Sequence, residues 1–345
     1  MMSTSSSSSS CFLFVYTGLF ILVMIMMLPT LESSKTYSEQ LSVEYYNKTC
    51  PQLEELVASV ASQQFHESPI SGPATIRLFF HDCFVQGCDA SVLILSKPGS
   101  SSLAEKDAQD NKDLARVAFD SIEKAKCLIE TKCPGVVSCA DILAIAARDF
   151  VHLAGGPYYQ VKKGRWDGKV SMASKVSSNI PHANSTVDDL LKLFASKGLS
   201  LEDLVVLSGA HTIGFAHCEH FVNRLYNYKG TKKPDPSIDP RLLKALCMMC
   251  PASGGNTDVV APLDVKTPFA FDHVYYRNSQ VKMGLLATDQ ELFLDPRTRP
   301  VVVSLGKDKK KFFQAFSEAM DKMGSIGVKS GGKNMVIRRD CAQNV

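Results

Sequence analysis

Arg77, Phe80 and His81 stand at i, i+3 and i+4 in the run Arg77-Leu-Phe-Phe-His-Asp-Cys-Phe-Val-Gln-Gly-Cys-Asp-Ala-Ser91. In a helix that spacing puts all three on one face. A neutral imidazole beside a guanidinium suits a reaction that moves a proton while negative charge develops nearby. Alone, His81 reads as readily as a core histidine; the whole string argues for chemistry. Asp82, Asp89 and Ser91 follow directly, on a loop bracketed by Cys83 and Cys88. They are hard oxygen ligands, and carbonyls at Val85 and Gly87 would complete a calcium cage.

A second cluster is Leu207-Ser-Gly-Ala-His-Thr-Ile-Gly214. His211 follows an apolar stretch, and Gly209 and Gly214 would let a backbone approach something flat and close. Downstream, Asp264, Thr267 and Asp272 form a second set of oxygen ligands, and Asp289 in Thr288-Asp-Gln-Glu-Leu292 could anchor a histidine N–H. Each signal is weak on spacing alone.

Helical periodicity must position these groups. Leu53, Leu56, Val57 and Val60 make one stripe, and Ile142, Leu143, Ile145 and Ala146 another. Ser138 with Asp141, Thr186 with Asp189 and Ser200 with Asp203 predict capping boxes at three helix starts. Phe312 to Met323 is amphipathic, with Phe313, Phe316, Met320 and Met323 on one face, and Lys307–Lys311 reads as its solvated start. Stretches 96–112 and 227–240 are irregular, strands are few and short, and no internal repeat occurs. The class is all-α.

The 345 residues carry 38 Lys+Arg against 35 Asp+Glu, a net +3 that gives no electrostatic case for nucleic acid. Hydrophobic residues at 45% and charged residues at 21% exclude a disordered, collagen-like or multi-span membrane chain. Eleven cysteines suit a secreted protein better than a cytosolic one. Residues 1–31 carry no charged side chain, and Cys11 to Leu28 is apolar. This predicts a signal peptide over 1–34, cut between about 28 and 39, ahead of one domain over 35–345. The apolar segment also reaches the lower limit of a membrane span, so an uncleaved anchor stays open. Asn47-Lys-Thr49 and Asn184-Ser-Thr186 are glycosylation acceptors that fit a secretory route.

Taken together, these strings resemble the class III secretory plant peroxidases, which are haem enzymes. The resemblance runs from Gln40 to Cys341. It rests on the two clusters, the start Gln40-Leu-Ser…Thr-Cys-Pro51, Ala104-Glu-Lys-Asp-Ala…Asn111, Val137-Ser-Cys-Ala-Asp-Ile-Leu143, Leu153-Ala-Gly-Gly-Pro157, Thr288-Asp-Gln-Glu291 and Arg338-Arg-Asp-Cys341. It implies two helical halves sandwiching one haem b (iron protoporphyrin IX), with little β structure and four disulfides.

Carried over, the resemblance gives His211 as the iron ligand and Asp289 as acceptor of its second N–H. His81 becomes the acid–base for peroxide, Asn111 the holder of its other ring N–H, and Arg77 the stabiliser of charge on the departing oxygen. Phe80 packs on the haem face and Pro181 faces the reducing substrate. One Ca2+ falls to Asp82, Val85, Gly87, Asp89 and Ser91, with Glu105 reaching it through water. A second falls to Thr212, Asp264, Thr267, Ala270 and Asp272. Each calcium would pin backbone beside a catalytic histidine.

The resemblance pairs Cys50–Cys133, Cys83–Cys88, Cys139–Cys341 and Cys218–Cys250, leaving Cys127 and Cys247 as free buried thiols. A rival reading takes His217-Cys-Glu-His220 with Cys247-Met-Met-Cys250 as a structural zinc site. Another alternative is a non-catalytic, calcium-stapled wall protein that keeps the scaffold. The implied function is reduction of hydrogen peroxide with one-electron oxidation of small phenolic donors, lignin precursors among them. The protein is expected to be monomeric, extracellular in the cell wall, and without stable membrane association. With four residues after Cys341, no vacuolar-type extension is expected. The chain departs from the family at the substrate mouth, where His182, Ala183 and Asn184 follow Pro181. That departure bears on which phenol is preferred.

Overall fold

Apolar spacing builds the helices of this computed structural model, which describes residues 41–100, 102–253, 258–328 and 335–343. The expected signal, residues 1–34, lies outside the described residues; Glu39–Val345 forms a unit of its own.

In the first half, α1 (Leu53–Glu67), α2 (Ser71–Val85) and α3 (Arg116–Lys132) surround α4 (Cys139–Leu153). Every residue of α4 from Cys139 to Val151 is buried, the charged Asp141, Arg148 and Asp149 included, because neighbouring helices cover it on several sides. The second half holds α5 (Val187–Ser196), α6 (Leu201–Ser208), α7 (Val222–Tyr226), α8 (Pro240–Met249), α9 (Val274–Gln280), α10 (Ala287–Leu294), α11 (Arg299–Lys307) and α12 (Lys309–Met323). There α12 packs on α6, and α9 on α11. Two small antiparallel sheets complete the described fold: β1 (Asp167–Gly168) with β4 (Met335–Val336), and β2 (Phe215–His217) with β3 (Val260–Pro262). The class is all-α, as expected.

Two of the three capping boxes form in full, at Thr186–Asp189 and Ser200–Asp203. The third is half made. Ser138 Oγ accepts from Asp141 N at 3.1 Å, but the Asp141 carboxylate turns inward. It takes Arg165 Nη1 at 2.8 Å, Tyr46 Oη at 2.9 Å and Gly164 N at 2.7 Å. Asp167 replaces it at the helix start, accepting from Cys139 N and Ala140 N at 3.1 and 3.0 Å. A carboxylate there also meets the positive end of the α4 dipole.

The four disulfides join the pairs that the resemblance implies. Cys139–Cys341 closes a separation of 202 residues, worth about 5 kcal/mol in the chain-entropy account. Three expectations need correction. Cys127 and Cys247 are free but not buried: Cys127 is exposed and Cys247 half-buried. Cys127 falls off the stripe of Ala118, Ile122, Ala125 and Ile129 that α3 turns inward. On α12 the fully buried aromatic is Phe312, with Phe316, while Phe313 is only partly covered. Gly209 and Gly214 are also tightly packed by protein: a Cβ on Gly209 would lie 2.2 Å from Tyr276 Oη, and one on Gly214, at φ +96°, 2.9 Å from Pro73. The zinc reading also falls, because Cys218 and Cys250 are bonded to each other.

Candidate active site

Helix α2 carries Arg77, Phe80 and His81 along one wall of a cavity of about 720 Å3. Pro73 sits in the helix's first turn, where no N–H is needed. His81 Nδ1 lies 2.7 Å from Asn111 Oδ1, and Asn111 Nδ2 donates to the Glu105 carbonyl at 2.8 Å. The second bond fixes the amide, because only its nitrogen can donate to a carbonyl. Oδ1 therefore accepts from His81, Nδ1 carries the proton, and Nε2 is left as an acceptor. Arg77 Nε points at that Nε2 from 3.3 Å, while its Nη1 donates to the Asp113 carbonyl at 3.1 Å. Burial, and then the Arg77 charge, pull the His81 pKa down to about 3 against the opposing bond to Asn111. The imidazole is neutral at ordinary pH.

The same cavity is lined by His211, in a tight turn Gly209–Thr212 that continues α6. His211 Nδ1 stands 2.8 Å from Asp289 Oδ1, so the carboxylate takes the Nδ1 proton and Nε2 keeps its lone pair. Asp289 is buried in the first turn of α10. Its Oδ2 accepts from Leu286 N at 3.0 Å, and its Oδ1 also accepts from Tyr275 Oη at 3.0 Å. Arg224 anchors the approach to α10, with Nη1 donating to the carbonyls of Gly284, Leu285 and Leu286 at 2.7, 2.6 and 3.0 Å. Pro181 and Asn184 lie at the cavity mouth, and Thr288 N reaches the Ala183 carbonyl at 3.3 Å.

Two oxygen-rich pockets flank the histidines. Beyond His81, Asp82, Asp89, Ser91 and Glu105 are all buried. Ser91 Oγ donates to Glu105 Oε2 at 3.3 Å, and Asp82 Oδ2 accepts from Ala90 N at 2.9 Å. Burial and the Asp89 charge push Asp82 well above the usual carboxylate range. Burial raises Glu105 to about 7, with Asp89 adding to it. Val85 and Gly87 end α2 and begin this loop.

Beyond His211, Thr212 Oγ1 and Thr267 Oγ1 each donate to Asp272 Oδ1 at 3.3 Å. Asp264 Oδ1 takes Lys266 N, Thr267 N and Asn278 Nδ2, whereas its buried Oδ2 has no hydrogen-bond partner. Ala270 N closes the turn on the Thr267 carbonyl at 3.0 Å. Away from these sites, Asn47 and Asn184 are both exposed.

Tyr275, Asn278 and Arg224 escaped the sequence reading. A buried tyrosine hydroxyl needs a partner, so the pair Tyr275-Tyr276 close after Asp272 was the available signal. Arg224 and Asn278 carried none.

A family model described as Peroxidase matches residues 57–308. Peroxidase 19 of Arabidopsis thaliana is 66% identical over 302 residues, covering 88% of this chain and 87% of its own length. Peroxidase 55 of the same plant is 48% identical over 303 residues, covering 88% and 90%. Peroxidase 65 is 45% identical over 301 residues, covering 87% and 88%. These relationships favour a catalyst over a non-catalytic wall scaffold. The chain belongs to the peroxidase family and, within it, to the class III plant peroxidases.

Proposed function

We propose that this haem peroxidase reduces hydrogen peroxide with His81, Arg77 and His211, the last held by Asp289, lining one cavity. The observation that carries the reading is the chain of bonds from the Glu105 carbonyl through Asn111 to His81 Nδ1. It leaves a neutral Nε2 facing the cavity beside a guanidinium. That nitrogen can take a proton from one peroxide oxygen and give it to the other, which leaves as water. Arg77, steadied by the Asp113 carbonyl, stabilises charge on the departing oxygen.

The cavity fits haem b. Its volume is ample, and the bond from His211 Nδ1 to Asp289 leaves the other ring nitrogen to hold the iron. When bound, haem b supplies the electrons that cleave the O–O bond and regains them singly from phenolic donors. The Asp289 carboxylate makes His211 a more basic ligand. Phe80 adds an apolar surface, and Pro181 borders the opening through which donors arrive.

Two calcium ions suit the flanking pockets. Two buried carboxylates whose protons bind too tightly, Asp82 and Glu105, beside a third buried carboxylate, Asp89, call for a hard cation. So does the partnerless Oδ2 of Asp264. The ligands would be Asp82, Asp89, Ser91 and the Val85 and Gly87 carbonyls, with Glu105 behind them. For the second ion they would be Thr212, Asp264, Thr267, Ala270 and Asp272. Residues 1–34 serve as a cleaved signal and 35–345 as a monomeric enzyme of the cell wall, glycosylated at Asn47 or Asn184. Among the described residues no helix is long and apolar enough to cross a membrane.

Stopped-flow mixing of purified holoenzyme with peroxide, followed by a panel of phenols, tests this reading. It expects fast spectral change with peroxide and stepwise return with donor. A chain that binds haem yet shows no change with peroxide refutes the assignment.

A further inference from the structure

We propose that Asp113, Glu219 and His220 bind one divalent transition-metal ion of the zinc type at the rim of the active-site cavity. The string His217-Cys-Glu-His220 loses its cysteine to the bond with Cys250, and that bond places the next two residues. The turn Cys218–His220 sets them against the segment that follows Asn111. One ligand atom from each of Asp113, Glu219 and His220 lies within 4.8 Å of the other two. Among the described residues no other trio of His, Cys, Asp or Glu meets that closeness. His220 Nε2 is already 3.4 Å from Asp113 Oδ2. Metal bonds of roughly 2.0–2.2 Å put ligand atoms about that far apart, so a rotation of the exposed Glu219 closes the set.

The donor chemistry selects the ion. One imidazole and two carboxylates, with cavity space for water, match a zinc-type site with an open position. Calcium wants six to eight oxygens. The competitor is Lys112, whose Nζ lies 3.5 Å from Glu219 Oε1 with both side chains nearly half exposed. Such a surface pair is worth about 0–1 kcal/mol and yields to a dication.

The location gives the ion a consequence. All three ligands line the cavity together with Pro181, and the Asp113 carbonyl holds Arg77. A bound ion would tie the segment after Asn111 to the turn after β2 and narrow the approach of donors. The site is separate from both calcium pockets and does not depend on the roles proposed for them.

The test is calorimetric titration of Zn2+ into the holoenzyme with calcium saturating, repeated with His220→Ala, Glu219→Gln and the exposed-surface control His66→Ala. One Zn2+ per chain is expected, weakened at least ~10-fold in either ligand variant, unchanged in the control and weaker as pH falls. Glu219→Gln keeps the test decisive if His220→Ala fails to fold, because Glu219 is exposed. Absence of Zn2+ binding, equal loss in His66→Ala, unchanged affinity in Glu219→Gln, or displacement of Zn2+ by excess calcium would each overturn the proposal.

Discussion

Asn111 presents its oxygen to His81 Nδ1 at 2.7 Å while its nitrogen is held by the Glu105 carbonyl. The first side chain sets the proton position of the second, and the backbone of a proposed calcium-pocket residue sets the first. Acid–base chemistry and the oxygen-rich loop are thus joined by two consecutive bonds.

Asn111→Asp should therefore shift the pH dependence of the reaction with peroxide. A carboxylate in place of the amide favours the charged imidazole, so the His81 pKa rises from about 3. In wild type the rate should be flat through the neutral range and fall only as pH drops toward that value, where Nε2 becomes protonated. In the variant the fall should begin at distinctly higher pH. The pH profile of the stopped-flow rate reads this directly, and superimposable profiles would contradict the assigned tautomer.

Calcium removal should lower activity and melting temperature together. Asp82 adjoins His81 and Thr212 adjoins His211, so losing either ion frees backbone beside a catalytic ring. Chelation with unchanged turnover and unchanged melting would refute both pockets.

Asp289→Asn should retain haem but weaken electron donation from His211. The iron midpoint potential should rise, and the peroxidase rate should drop by roughly 10–100-fold, the usual cost of losing a partner behind a metal ligand. His211→Ala should lose haem itself, seen as loss of the Soret band. An unchanged potential in Asp289→Asn would show that the 2.8 Å bond does not tune the ligand.

Arg165→Leu should destabilise the fold by about 3–5 kcal/mol, because it strands the fully buried Asp141 carboxylate. Denaturant unfolding measures this. Replacing both residues with apolar ones should recover part of the loss; a single variant at wild-type stability would contradict a structural role for the pair.

His81 and Arg77 were legible because the string that holds them suits proton transfer beside a guanidinium, whereas His211 drew its role from the family resemblance and not from spacing. The helices were legible for a related reason: apolar stripes and Ser/Thr–Asp caps act within one turn of chain. Partners contributed from afar were not. Tyr275 reaches Asp289 across 14 residues and Arg224 reaches the carbonyls before α10 across about 60; nothing local marks Arg224, and the pair Tyr275-Tyr276 signals a buried hydroxyl without naming its partner. Asp141 fits a capping box by its neighbours, but the distant Tyr46 shares its carboxylate. Phe312 and Phe313 could not be told apart by periodicity, because they stand four and three residues before Phe316 and both spacings share a helical face.

The most direct measurement is the rate at which His81→Leu, with haem bound, reacts with peroxide. With His211 as the proposed iron ligand, the Soret band should persist while the rate falls by at least ~10²–10⁴-fold. A variant with its Soret band intact and a near wild-type rate would contradict the account, because the proton transfer is assigned to His81 Nε2 beside Arg77.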